Sequence, residues 1–121
     1  MNIVRTLYSM PPDHGGAVVS YILNNTDLRD QWLIELTTMR KRLKKMRKLL
    51  GAALREEAPD YNFSHIERAN GMFSFLGITP AQVNQLKSEF GIYMVNSSRI
   101  NIAGITEDNV GHLTTSITVV L

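Results

Sequence analysis

Ser97-Ser98-Arg99-Ile100-Asn101-Ile102-Ala103-Gly104 sets one arginine at the mouth of a segment whose other residues are small or apolar. Ile100 and Ile102 alternate with Asn101 and Ala103, which is the period of a half-buried strand. An arginine placed by such packing offers a planar fork of donors that can meet a carboxylate through two hydrogen bonds at once. Upstream, Gly71-Met72-Phe73-Ser74-Phe75 follows the turn signal Asn70-Gly71, and Met72 to Leu76 reads as a second strand. Near the other end, Val4-Arg5-Thr6-Leu7-Tyr8-Ser9-Met10-Pro11-Pro12 places a second isolated arginine beside a rigid proline turn. Two separately placed arginines, one per carboxylate, suit a dicarboxylic amino acid.

Around these stretches the apolar periodicity is mostly helical. Leu28, Trp32, Leu36, Met39, Leu43, Met46, Leu50 and Ala53 recur every three or four residues and predict a helix of about 30 residues, far beyond the usual three turns. Thr26 is its expected N-cap, and Ala58-Pro59-Asp60 its end. Before it, Asp13 to Gly16 is a loop or helix entry and Ala17 to Leu23 a short apolar helix. Asn62 to Arg68 stays ambiguous between a short strand and a turn. Thr79-Pro80 is cap plus first helical position for Ala81 to Phe90, with Gly91 as the stop. Ile92 to Val95 and Arg99 to Ala103 read as short strands joined by Asn96-Ser97-Ser98. Thr106 is the expected cap of a last helix, with Glu107 and Asp108 in its first turn and Val110, Leu113, Ile117 and Val120 facing the core. The order predicts an α/β fold: one two-layer domain over residues 1–121, with one long helix and a small sheet covered on one face.

Composition narrows the function classes. The 121 residues are 44% hydrophobic and 20% charged, ordinary values for one globular domain. Cysteine is absent, which removes disulfides, thiolate metal sites and a cysteine nucleophile. No apolar run approaches the roughly 20 residues of a membrane span, and the first residues lack a signal-peptide layout. A soluble, cytoplasmic chain is expected. Seven basic residues crowd into positions 40–48, but Met39, Leu43, Met46 and Leu50 interrupt them at helical spacing. That pattern predicts a helix with its charges on the solvated face, and no aromatic residue is present there to stack on a base. Nucleic-acid binding through Arg40 to Lys48 is the rival reading, and it would show steep loss of affinity with salt. His14, His65 and His112 have no metal-ligand spacing, so no metal site is expected.

The three stretches together resemble the aspartate and aromatic aminotransferases, pyridoxal-phosphate enzymes of fold type I. That family carries segments of the form I/V-R-x-x-Y/W-S-N-P-P, G-M-F-S-F-x-G-L and S-G-R-I/V-N-V-A-G-L/M with similar separations. The resemblance runs from about Ile3 to Leu121 and covers the carboxy-terminal portion of such an enzyme. It implies a small domain whose long helix connects it to a large, cofactor-binding domain. It further implies that Arg99 grips the substrate α-carboxylate, and that Arg5 reaches a neighbouring subunit's site to hold a distal carboxylate. Ser9 would lie beside that second site and Phe73 would line the substrate pocket. Two positions depart from the pattern: Met10 stands where the family usually has asparagine, and Ser98 where it usually has glycine.

The resemblance also marks what is missing. The Schiff-base lysine of the family lies upstream of this segment, and none of Lys41, Lys44, Lys45, Lys48 and Lys87 has its S-x-S/A-K context. No catalytic or cofactor-binding residue is therefore expected here. Pyridoxal phosphate belongs to the full-length family and is not expected to bind this chain specifically. The implied reaction of the whole enzyme moves an amino group between an amino acid and a 2-oxo acid. The isolated chain is expected to be inactive, to self-associate or form a homodimer, and to bind neither nucleic acid nor membrane. Whether it counts as an enzyme stays open, as does aspartate against aromatic preference. The alternative is a non-enzymatic binding module, or pseudo-enzyme fragment, with the same fold.

Overall fold

The computed structural model describes Thr6, Leu7 and residues 12–121, so Arg5 and Ser9 lie outside the described residues. Helix α1 spans Asp13–Asn24 and opens at Asp13 rather than at Ala17, with the aspartate in its first turn, where the helix dipole favours a negative charge. Helix α2 spans Thr26–Glu57, 32 residues, as the long periodic stripe requires. Its cap is Asn25, not Thr26: the Asn25 Oδ1 accepts from the Leu28 amide at 3.1 Å.

The chain forms two units, Met1–Met39 and Arg40–Leu121. In the first, α1 buries none of its residues, and Val19, Tyr21, Ile34 and Met39 are exposed. The second holds the rest of α2 and all the elements that follow. These are α3 (Ser64–Arg68), β1 (Phe73–Phe75), α4 (Pro80–Phe90), β2 (Arg99–Asn101), a 3-10 turn over Ile102–Gly104, and α5 (Val110–Val120). Leu50, Leu54, Ile66, Leu86, Ile102 and Ile117 are wholly shielded from solvent at its centre. Each such side chain stabilises the folded state by about 1.5–3 kcal/mol relative to exposure. All four expected core positions of the last helix, Val110, Leu113, Ile117 and Val120, are buried.

Three further expectations are corrected. The ambiguous stretch from Asn62 to Arg68 contains the short helix α3, with Ile66 as its buried anchor. Ile92 to Val95 forms no strand, and among the described residues the sheet has two strands. Gly91 closes α4 in the left-handed region, and the Ile92 amide turns back to the Leu86 carbonyl at 3.0 Å. Ile92 and Met94 still alternate in burial with Tyr93 and Val95, but among the described residues no neighbouring backbone completes a ladder. The last helix begins at Val110 because Thr106 and Asn109 cap each other first. The Asn109 amide donates to Thr106 Oγ1 at 3.2 Å and the Thr106 amide to Asn109 Oδ1 at 2.9 Å. Glu107 and Asp108 thus lie in this turn, outside the helix.

Candidate functional site

Strands β1 and β2 pair antiparallel in the register Phe73↔Asn101, Ser74↔Ile100 and Phe75↔Arg99. Each buries its middle residue and exposes the two flanking it. Ser74 and Ile100 therefore face the core, while Phe73, Phe75, Arg99 and Asn101 share the outer face. Diagonal neighbours on one face come close enough for long side chains to touch. The Arg99 guanidinium carbon accordingly lies 4.8 Å from the centroid of the Phe73 ring. Phe73, which a strand of apolar residues would ordinarily place in a core, is 49% exposed.

This pair borders an open cleft of about 480 Å³, with Ile92, Tyr93, Met94 and Asn101 on its walls. Among the described residues no acceptor engages the Arg99 guanidinium through a hydrogen bond or an ion pair. A cation–π contact at an exposed site is worth about 0.5–1 kcal/mol. Hydrogen bonding to a charged group contributes about 1.5–3 kcal/mol. The aromatic ring can therefore orient Arg99 without competing with an incoming carboxylate. The lead-in to β2 adds precision. Ser98 sits at φ 58° just before Arg99, is 2% exposed, and receives the Gly77 amide on its Oγ at 3.1 Å. Its carbonyl accepts from the Leu76 amide at 2.9 Å, which extends the ladder by one step.

Sequence reasoning missed two residues that hold this site, both within the basic cluster of α2. Arg47 is 3% exposed, not solvated. Its guanidinium donates to the carbonyls of Ile66 at 2.9 Å, Asn70 at 3.3 Å, Gly71 at 2.8 Å and Phe73 at 2.8 Å. Burial holds its pKa below arginine's ordinary value. Arg42 donates to the carbonyls of Ala103 and Ile105, both at 3.0 Å. The signal was present for Arg47: counting back from Ala58 through Leu54 and Leu50 in steps of four and three lands on position 47, on the buried face. The cluster's other positions fit the expected solvated face better. Lys45 pairs with Glu107, and that hydrogen bond and charge lower the Glu107 pKa. His65 and His112 lie far apart in use as well as in sequence, each bonding a backbone carbonyl, Phe75 at 2.8 Å and Phe90 at 3.1 Å.

Pyridoxal-phosphate chemistry needs a lysine for the cofactor's aldehyde carbon and an acid facing its pyridine nitrogen. The residues around the Arg99 cleft do not fit that group, since its lining contains no lysine, aspartate or glutamate. Lys87 instead lies 5.9 Å from the Tyr93 ring centroid.

The sequence model of the family described as aminotransferase class I and II matches residues 1–117. The chain belongs to this family. It is 55% identical over 120 residues to the aspartate aminotransferase of Haemophilus influenzae, covering 99% of this chain and 30% of that protein. The crystal structure of the aromatic-amino-acid aminotransferase from Burkholderia pseudomallei, covalently bound to pyridoxal phosphate, superposes with a TM-score of 0.90 at 42% identity. It covers 99% of this chain, which spans 30% of it. The aromatic amino acid aminotransferase of Psychrobacter sp. B6, cocrystallised with aspartic acid, gives a TM-score of 0.88 at 44% identity over 97% of this chain and 29% of its own. This aminotransferase chain thus spans about 30% of the length of its relatives. Pyridoxal phosphate is the family's cofactor, and the α/β small-domain reading agrees with these fold type I neighbours. Among the described residues no helix is long and apolar enough to cross a membrane.

Proposed function

We propose that this chain is the substrate-recognition portion of a cytoplasmic aspartate or aromatic aminotransferase, and that Arg99 holds the α-carboxylate of the amino acid and of its 2-oxo product. The observation that carries this reading is the Arg99–Phe73 pair: a guanidinium seated on an aromatic ring at 4.8 Å, beside an open cleft, with its donors unspent among the described residues. Arg99 binds and orients, Phe73 limits where the guanidinium can swing, and Ile92 and Met94 give the cleft an apolar wall. In the family the cofactor supplies the electron sink for exchange of the amino group. This chain's cleft supplies none of the groups that hold the cofactor. Arg5 serves the distal carboxylate of a dicarboxylic substrate in a neighbouring subunit, beside Ser9. A homodimer follows from that arrangement, and the exposed Val19, Tyr21, Ile34 and Met39 supply apolar surface for association.

The test joins this chain to the upstream part of the Haemophilus relative in place of that protein's own final segment. The joined protein is expected to transaminate aspartate, and the 121-residue chain alone to show no turnover with added pyridoxal phosphate. Turnover by the chain alone, or a folded, cofactor-loaded joined protein with no activity, would contradict the reading.

A further inference from the structure

The backbone groups of a two-stranded ladder pose a problem that the strands cannot solve themselves. In an antiparallel pair, hydrogen-bonded and non-hydrogen-bonded positions alternate, so every second carbonyl points away from the partner strand. Here the Ile102 amide donates to the Met72 carbonyl at 2.7 Å and the Leu76 amide to the Ser98 carbonyl at 2.9 Å. By this alternation Phe73 and Phe75 turn their carbonyls outward, to the free edge of β1. A side chain takes each one: Arg47 donates to Phe73 at 2.8 Å, and His65 Nε2 to Phe75 at 2.8 Å. On the far side, Arg42 takes the Ala103 and Ile105 carbonyls just beyond β2.

We infer that Arg47 is a positioning residue for substrate recognition, fixing the Phe73 main chain so that its ring orients Arg99, with Arg42 fixing the exit of the Arg99 strand. Both come from one helix, five residues apart. Arg47 is the stronger case because its position is hard to justify as stability alone. A buried guanidinium carries a desolvation cost, and no acidic side chain pairs with it among the described residues. What the fork achieves is geometric: donors held in one plane reach Ile66, Asn70, Gly71 and Phe73 together, across the turn that delivers β1. A lysine has three donors on one rotating nitrogen and cannot hold four carbonyls in that plane.

This inference rests on the reading of Arg99 as the carboxylate-binding residue, and its test separates the two. The probes are the Arg99 Nε–H signal in NMR spectra of the 121-residue chain, displaced by the Phe73 ring current, and a titration with succinate. In Arg47→Lys the displacement is expected to collapse and succinate affinity to fall several-fold. The methyl signals of Leu86 and Ile117, on α4 and α5, are expected to keep their dispersion. An Arg99 signal and affinity unchanged in folded Arg47→Lys would overturn the positioning role. Where Arg47→Lys does not fold, Arg42→Lys carries the test: a moved Arg99 signal supports the clamp and an unmoved one overturns it. If the parent chain shows the ring-current displacement, Arg47→Lys abolishes it, and succinate binds neither, the clamp stands and the carboxylate reading of Arg99 falls.

Discussion

Ser98 shows how one backbone angle can set a site. At φ 58° it occupies the left-handed region, which disfavours residues bearing a Cβ by roughly 1–2 kcal/mol. Its hydroxyl offsets part of that cost by accepting the Gly77 amide. Ser98→Gly removes both the strain and the acceptor, so the two changes oppose each other. Its effect on chemical unfolding of the chain is expected to stay within about 1 kcal/mol. Ser98→Val keeps the strain, makes it worse through β-branching and loses the acceptor, and about 2–4 kcal/mol of destabilisation is expected. Equal unfolding midpoints for the two variants would contradict this account. Read by size, serine in a glycine position is a mild change. Its real demand is conformational, and one sequence does not display φ. Arg47 escaped for a different reason: a dense run of like charges reads as solvated, although the period of Leu50, Leu54 and Ala58 includes it.

Elements whose ends are fixed by local chemistry were legible, and those fixed by partners were not. Helix α4 carries its own limits. Thr79 and Gln82 form a reciprocal capping box, Pro80 opens the first turn, and Gly91 closes the last at φ 66°. Gln82 also donates its Nε2 to the Val120 carbonyl at 2.8 Å, tying the start of α4 to the end of α5. Thr79→Ala is expected to cost about 1 kcal/mol, the usual worth of such a cap. Gln82→Ala should cost more, because it removes the box and the tie together; urea unfolding of both variants checks the order. Helix α5 starts three residues later than its sequence suggests because Thr106 and Asn109 are both capping types, and only their mutual bonds show which ends the turn. Ile92 to Val95 has the alternation of a strand but no partner among the described residues, and pairing is a property of two segments that no single stretch reveals.

At the scale of the molecule, the sequence motifs placed Arg99 and Phe73 in two strands, and the register Phe75↔Arg99 brings them together on one exposed face. The expected roles of Arg5 and Ser9 rest on the family motif alone, since both lie outside the described residues. In the proposed reading the two arginines divide by substrate. Every amino acid offers an α-carboxylate, whereas only a dicarboxylic one offers a second. The most direct measurement is kcat/KM for aspartate and for phenylalanine in the joined protein, with Arg99→Lys and Arg5→Lys as the variants. Lysine keeps the charge and loses the fork, so Arg99→Lys is expected to lower both values by about 1.5–3 kcal/mol of transition-state stabilisation, roughly ten- to a hundredfold. Arg5→Lys is expected to lower the aspartate value by a similar factor and leave phenylalanine nearly unchanged. Parallel losses for the two variants on both substrates, or an Arg99→Lys protein indistinguishable from its parent, would contradict the assignment of Arg99 to the α-carboxylate.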